Sequence, residues 1–234
     1  MKKIIGLFFV FSMGCSPLFA QVQKLKNQPY ADQRLFHLGF TLGFHTQDLI
    51  LTHSGFVNDN GEVWFAEIPS YSPGFNVGII GDVYVNRFMN LRLSPTLQLG
   101  NKNFVFKEQA SGEEFKTNLR NNYISVPLHV KLAADRINNY RPYFLVGGYG
   151  RLELAAKKNR PILLKPIDYG IEIGFGCDFY LPLFKLSPEL KFGFGLVNAL
   201  PKDRSDLIEE DLQKYPRALS KATHRTITLS FNFE

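Results

Sequence analysis

The most regular feature of this sequence is an alternation of large apolar residues with small or polar ones. In the stretch 36–45, Phe and Leu occupy every second position, and His, Gly and Thr fill the positions between them. Side chains of a β-strand point to opposite faces with a period of two, so this stretch predicts a strand with one apolar face. Several glycines on the other face are typical of a barrel interior rather than of the solvent face of a sandwich.

The alternation returns often enough to predict eight strands. The other seven segments are 75–85, 91–99, 123–132, 142–153, 168–179, 184–194 and 226–233. Segment 142–153 is glycine-rich, and its facing is ambiguous. Each segment is near the roughly 9 to 11 residues that a tilted strand needs to cross a bilayer. An even number of strands closes the sheet without an edge in lipid. We therefore predict an all-β fold, an eight-stranded antiparallel up-and-down transmembrane β-barrel.

The connections between these segments alternate in length. Short links are predicted at 86–90, 135–139 and 181–183, and long loops are predicted at the four other connections. Short turns on one side and long loops on the other are typical of outer-membrane barrels. Loop 48–72 contains Asn-Asp-Asn-Gly at 58–61, which indicates a hairpin within the loop, and 203–215 could form a short helix. Pro95, Pro127 and Pro188 predict bulges or distorted strand pairing.

The N-terminus has the pattern of a secretory signal peptide. Lys2 and Lys3 precede an apolar run at 4–11 that is too short to span a bilayer, and small and polar residues follow. We place cleavage after Ala20, which gives a signal peptide at 1–20, a polar periplasmic tail at 21–34 and the barrel at 35–234. The alternatives are a cytoplasmic N-terminus that happens to be apolar and a lipidated Cys15.

Charge and cysteine content narrow the function classes. The formal charge is 27 − 21 = +6, and it becomes +4 without Lys2 and Lys3. The basic residues are spread among acidic ones and form no cluster with aromatic residues, so nucleic acid is not an expected partner. Cleavage at Ala20 removes Cys15 and leaves Cys177 alone, which allows no disulfide within the chain.

Charged residues nevertheless occur on the face predicted to point into the barrel. They are Asp82, Arg92, His129, Lys131, Glu172, Asp178, Lys185, Glu189 and Lys191. One interpretation is a charged conduit for small solutes. The alternative is a packed interior of mutually neutralising charges, because eight strands enclose a space that side chains about fill. We favour the packed interior.

The sequence offers no constellation for catalysis or for a cofactor. His37, His45, His53, His129 and His224 are scattered without metal-ligand spacing, and no GxSxG motif occurs. Ser125 and His129 share a strand face without an evident orienting acid. We therefore predict no enzyme activity, no cofactor, no metal site and no small-molecule substrate.

Five stretches resemble the PorT family of outer-membrane barrels. They are Gln33-Arg-Leu-Phe-His-Leu-Gly-Phe40, Arg136-Ile-Asn-Asn-Tyr-Arg-Pro-Tyr143, Asp178-Phe-Tyr-Leu-Pro182, Ser187-Pro-Glu-Leu-Lys-Phe192 and Leu229-Ser-Phe-Asn-Phe-Glu234. The terminal stretch is shared with many porin-like barrels, whereas the turn at 138–143 combined with the hairpin formed by 178–182 and 187–192 is more specific. The resemblance spans about 25–234.

This resemblance implies a part in type IX protein secretion, an outer-membrane location with both termini periplasmic, and no catalytic residues. It also suggests that a turn formed by Asn138, Asn139, Tyr140, Arg141 and Pro142, with the N-terminal tail, contacts other secretion components. The alternative is that this turn only sets the strand register. Two other functions stay open, namely a structural or adhesive barrel that binds ligands through its outer loops, and a small-solute porin.

Overall fold

The computed structural model describes residues 25–57, 61–67, 73–109, 112–154, 164–201 and 218–234. A 3-10 helix, Ala31–Gln33, precedes ten strands. These are β1 (Phe36–His53), β2 (Trp64–Glu67), β3 (Pro73–Asn86), β4 (Met89–Leu93), β5 (Thr96–Glu108), β6 (Glu114–Ala133), β7 (Tyr140–Glu153), β8 (Ile167–Tyr180), β9 (Lys185–Gly195) and β10 (Leu219–Phe233). The predicted signal peptide, 1–20, and the predicted helix within 203–215 lie outside the described residues.

The sheet closes on itself as a ring of eight strand positions. Strands β4 and β5 are two parts of one position, because both pair with β3 and with β6 and only Ser94 and Pro95 separate them. From β6 to β10 each strand pairs antiparallel with the next. Strand β1 pairs with both β10 and β3, which closes the ring. The predicted eight-stranded up-and-down barrel is confirmed.

The two faces of the wall follow the predicted alternation. The large apolar residues at 36, 38, 40, 42 and 44 point outward and are exposed, while Thr41 and His45 are buried inside. The structure also settles the facing of β7. Tyr143, Leu145 and Tyr149 point inward, and Phe144 and Val146 point outward. The sequence left this strand ambiguous because large apolar residues lie on both of its faces.

The three prolines distort pairing but add no residue to a strand. The ladder between β6 and its neighbours β4 and β5 skips Ser94 and Pro95, which lie opposite Pro127 and Val126, yet the register is the same on both sides of the gap. The ladder between β8 and β9 likewise skips Pro188. The prediction of distorted pairing is therefore correct. The register shifts that the structure does contain lie elsewhere, at Thr52/His53 and Tyr84/Asn86.

Short turns lie at one end of the barrel, which we call the turn end; the opposite end is the loop end. The turns are 87–88, 134–139 and 181–184, at the predicted places. The prediction of a long loop between the third and fourth strand positions is wrong. Here β5 and β6 continue as a paired hairpin to Lys107 and Glu114. The outward apolar alternation stops in this extension, so its residues carry no strand signal.

Strand β2 widens the sheet at the loop end. It pairs with the extension of β5 from Trp64↔Glu108 to Glu67↔Val105. Val57 and Val63 form an antiparallel bridge on either side of 58–61, which fits the predicted hairpin in this loop, although 58–60 lie outside the described residues. The first long loop therefore contributes ordered β-structure above the barrel wall.

Close approach between neighbouring strands requires glycine at position 147. A Cβ atom placed there would lie 2.0 Å from the carbonyl oxygen of Leu128 on β6, whereas at Gly150 it would meet nothing within 4 Å. Overpacking of this kind costs about 1–3 kcal/mol or more. We expect Gly147→Ala to reduce the folded fraction of the purified barrel in urea titrations, with Gly150→Ala as the matched control. Equal stability of the two variants would contradict the close approach of β6 and β7.

Candidate functional site

The barrel interior, rather than a surface cleft, holds the densest set of charged side chains in the described structure. All nine residues that the sequence placed inside are buried there. They are joined by inward residues that the sequence analysis did not select, among them Tyr143, Ser187, Asn232 and Glu234. Their arrangement decides whether the interior is a conduit or a packed core.

Arg92 on β4 is the centre of this set. Its guanidinium donates to both carboxylate oxygens of Asp82 at 2.7 Å, to Glu189 at 2.5 Å and to Glu234 at 2.8 Å. Arg92 is 1% exposed. The paired fork on Asp82 is the bidentate geometry that makes an Arg–carboxylate pair strong. Arg92 thus joins β3 and β4 to β9 and to the end of β10 across the interior.

Lys131 and Lys185 extend the network toward the turn end. Lys131 donates to the two carboxylate oxygens of Asp178 at 3.0 and 2.8 Å, and Ser187 donates to the same carboxylate at 2.6 Å. Lys185 lies 2.6 Å from Glu234. The ammonium of Lys131 also sits 4.1 Å above the ring of Tyr143, whose hydroxyl donates to Glu189 at 2.8 Å.

The network balances its charges. Lys191 lies 3.3 Å from Glu189, so four cations (Arg92, Lys131, Lys185 and Lys191) face four carboxylates (Asp82, Asp178, Glu189 and Glu234). His129 and Glu172 form a further pair at 2.8 Å. Buried charges persist only when they are paired and hydrogen-bonded. The contacts support a packed interior rather than a conduit.

Toward the loop end the inward face carries polar and charged side chains together and then becomes apolar. Gln47 donates to Gln98 at 3.1 Å, and Arg151 donates to Thr226 at 2.8 Å while lying 4.1 Å over the ring of Tyr149. Above them is an apolar cluster. Its members are Leu49, Trp64, Ala66, Phe106, Leu164, Ala199, Leu200, Ala218, Leu219 and Ala222.

The exposed tip of the β5–β6 hairpin carries its own ion pairs beyond the ring. Lys116 lies 3.0 Å and Lys107 lies 3.2 Å from the carboxylate of Glu114. The hydrogen bonds from Lys116 and then Lys107 lower the pKa of Glu114 below its usual range. Such exposed pairs contribute little to stability, so the loop end is held by its apolar cluster rather than by these charges.

The turn end is covered by residues 25–34, which we call the N-terminal strap. Asn139 accepts from the backbone N–H of Asn27 at 2.9 Å and donates to the carbonyl of Leu25 at 3.0 Å. The side chain of Asn27 donates to the carbonyl of Tyr180 at 2.9 Å. Each of these bonds joins the strap to the ends of β7 and β8.

Arg136 is the principal anchor of the N-terminal strap. Its guanidinium donates to the carbonyl oxygens of Asn27 and Gln28 and to the side chain of Asn139. The same group lies 3.6 Å over the ring of Tyr180. Asp32 at the other end of the strap accepts from the Tyr180 hydroxyl and, at 3.1 Å, from Arg141.

The predicted contact turn, 138–142, lies beside this strap. Ile137 and Tyr140 exchange backbone hydrogen bonds at 2.9 and 3.0 Å across a two-residue loop. Asn138 has φ 52°, a conformation that Asn tolerates better than most residues. Tyr140 and Pro142 point outward and are exposed.

The polar side chains of this turn mainly hold the protein together. Asn139 binds the strap, and buried Arg141 donates to the carbonyls of Ala134 and Arg87 as well as to Asp32. Sequence reasoning missed Asn27, Asp32, Arg136 and Tyr180. Strap residues use local polar and backbone groups and so lack any periodicity. The one available signal was the position of Arg136 and Asn139 in the motif that resembles the PorT family.

The described residues contain no group of three or more His, Cys, Asp or Glu side chains placed to hold a metal ion. Within the same ranges, no helix is long and apolar enough to cross a membrane. The closed ring with an apolar exterior and an ion-paired interior defines a β-barrel of the outer-membrane type.

The family comparison agrees with this class. Residues 19–200 match the model of the outer membrane protein β-barrel domain, so the chain belongs to that family and is an outer-membrane β-barrel protein. A sequence comparison with curated proteins gives no match.

Solved barrels of similar fold come from several bacteria. Neisserial surface protein A is 8% identical with a TM-score of 0.42 over 84% of this chain and 97% of that one. Ail, the attachment invasion locus protein of Yersinia pestis, is 11% identical with a TM-score of 0.38 over 84% and 96%. OprG of Pseudomonas aeruginosa is 12% identical with a TM-score of 0.48 over 90% and 95%. These are likenesses of fold alone.

The network predicts a large stability loss when its central cation is removed. Arg92→Ala leaves three buried carboxylates facing one another, and we expect the free energy of unfolding to fall by about 3–5 kcal/mol. The control is Arg87→Ala, which breaks an exposed pair with Asp135 at 2.7 Å and should cost at most about 1 kcal/mol. Urea titration in micelles measures both. Equal losses would contradict the central role of Arg92.

The packed interior predicts that the purified protein conducts no steady ion current in planar bilayers. The paired charges around Arg92 and the strap at the turn end together occupy the route that an ion would take. A channel of known conductance, reconstituted in the same bilayers, serves as the positive control. A stable open pore that scales with protein concentration would restore the solute-conduit interpretation.

Proposed function

We propose that this protein is a non-catalytic outer-membrane barrel that supports type IX protein secretion, with its turn end and both termini in the periplasm. The observation that carries the proposal is the position of the five stretches that resemble the PorT family. Four of them begin, end or turn at the turn end of the barrel, and the fifth, 187–192, lies within β9, which starts from the turn at that end. Short turns of outer-membrane barrels face the periplasm, where the other components of a secretion machine would meet this surface.

The contacts at this end support a role in binding partners. Bonds from Arg136 and Asn139 hold the strap against the turn end of β7 and β8, so the surface is fixed in shape. A preorganised surface binds with a smaller loss of conformational entropy. The interior network adds rigidity behind it and provides no route for solutes. The barrel would therefore act as a membrane-anchored platform rather than as a conduit or an enzyme.

Secretion of type IX cargo in a strain that lacks this gene tests the proposal. We expect cargo to stay in the periplasm behind an intact outer membrane, and a plasmid copy of the gene to restore export. Leakage of an unrelated periplasmic protein is the control for membrane integrity. Normal export in the deletion strain would remove the secretion function and leave the barrel fold unaffected.

The same strain can test whether the turn 138–142 contacts a partner. Arg141 is unsuitable for substitution because it holds the strap and the neighbouring turn. Tyr140 is 42% exposed, so complementation with Tyr140→Ala is cleaner. The matched control is Tyr169→Ala, an exposed tyrosine near the loop end of β8. Reduced secretion with normal barrel levels for Tyr140→Ala alone is the expected result, and full secretion would reduce this turn to a structural role.

A second candidate is an adhesive barrel that binds ligands at the loop end. The observation that favours it is the ordered structure there, in which Trp64 and Phe106 pack into an apolar cluster and β2 widens the β5–β6 hairpin. Deletion of the hairpin tip at 109–113 distinguishes the two functions. If the loop end carries the function, the deletion should abolish adhesion while secretion continues. The secretion proposal expects that no function of the protein depends on the outer loops alone.

A further inference from the structure

The turn end has two hollows, one on each side of the N-terminal strap. The larger hollow has a volume of about 420 Å³ and lies between the strap and the turns at 87–88 and 134–139. The smaller has about 280 Å³ and lies between the strap, the turn at 181–184 and the end of β10. Tyr84, Arg141 and His37 line them from inward-facing positions of the wall. Each hollow therefore reaches inward-facing positions of the barrel wall.

The linings of the two hollows carry an excess of positive charge. Six cations (Lys26, Arg34, Arg87, Arg136, Arg141 and Lys185) face three carboxylates. Each carboxylate already has a close cation, because Asp135 pairs with Arg87, Asp32 with Arg141 and Glu234 with Lys185.

Two of the six cations have no described carboxylate partner, and a third shares one. Among the described residues Lys26 and Arg34 have no ion pair within 4 Å, and both are exposed. Arg136 reaches Asp32 only at 3.9 Å. Its hydrogen bonds go to carbonyl and amide oxygens, and it shares the single carboxylate of Asp32 with Arg141. The turn end thus has a net positive field directed into the aqueous space beyond the barrel mouth.

Exposed apolar side chains lie beside these cations. Leu25 is 90% exposed, Tyr30 is 73% exposed and Leu183 at the edge of the smaller hollow is 91% exposed. Leu25 and Tyr30 belong to the strap, whose backbone is fixed by Asn139 and Arg136. Apolar anchors beside uncompensated charge are typical of a protein-binding surface.

We propose that the turn end binds an extended acidic segment of a partner protein, which lies across the strap with carboxylates toward the two hollows. Its apolar residues would cover Leu25, Tyr30 and Leu183. A polypeptide is favoured over a lipid headgroup because both hollows are lined in part from inward-facing positions of the barrel wall, away from the lipid-facing side. The inference deepens the proposed function by naming the chemistry of the partner, and it rests on that function only for the partner's periplasmic location.

Binding of a designed probe to the full-length protein in uncharged detergent tests this inference. The probe is a short fluorescent peptide of Asp, Glu, Leu and Phe, and the comparison peptide replaces its acids with Asn and Gln. We expect measurable anisotropy changes for the acidic peptide alone, weakening as salt is raised. The double variant Lys26→Glu/Arg34→Glu should lower its affinity about tenfold or more, because like charges then meet across the surface.

The matched control is Lys116→Glu/Lys221→Glu, which makes the same charge change on exposed residues at the loop end and should leave peptide affinity unchanged. Equal binding of the two peptides, or equal effects of the two double variants, would overturn the inference. So would unchanged peptide binding by Lys26→Glu/Arg34→Glu with reduced adsorption to phosphatidylglycerol vesicles, because the surface would then serve lipid. Peptide binding together with normal cargo export in the deletion strain would refute the secretion function, but it would still support a binding site for acidic segments at the turn end.

Discussion

The guanidinium of Arg92 holds together parts of the chain that are far apart in sequence. Its partners are ten residues away at Asp82, 97 away at Glu189 and 142 away at Glu234. Asp82 is its partner on the adjacent strand, but the contacts with Glu189 and Glu234 can form only after the ring has closed, because they cross the interior from β4 to β9 and to the end of β10. A buried cation of this kind is costly unless all its partners are in place. The network therefore favours the closed ring over partly assembled sheets.

The position of the strap follows from the same closure. Arg136 and Asn139 lie in the turn before β7, and Tyr180 ends β8, so the strap needs both strands in register before it can bind. Asp32 then connects the strap to Arg141, whose remaining donors hold the neighbouring turns. The strap thus covers the turn end beyond the ion network, and the shape of this end depends on the completed barrel.

Much of this architecture could be predicted from the sequence because a bilayer imposes one strong rule. Outward residues must be apolar and inward ones need not be, so the alternation alone placed correctly all nine charged residues that the sequence analysis selected, although it passed over others such as Arg151 and Asp168. The pairs among them could not be predicted, since the partner of Arg92 depends on strand tilt and stagger. The extension of β5 and β6 was missed because its strands leave the region where the bilayer requires every second residue to be apolar. The strap was missed because it is held through its own backbone carbonyls, those of Leu25 and Asn27, which accept from Asn139 and Arg136.

The two ends of the barrel differ in how they use charge and apolar surface, and this difference bears on function. At the loop end, Trp64 and Phe106 are buried in a cluster, and the charges at the hairpin tip are paired with Glu114. At the turn end, Leu25 and Leu183 are exposed on the strap and the neighbouring turn, and Lys26 and Arg34 beside them lack a described ion pair. Folding alone gives no reason to leave apolar anchors and uncompensated charge together on a rigid surface. A partner that covers both would remove the apolar surface from water and neutralise the field.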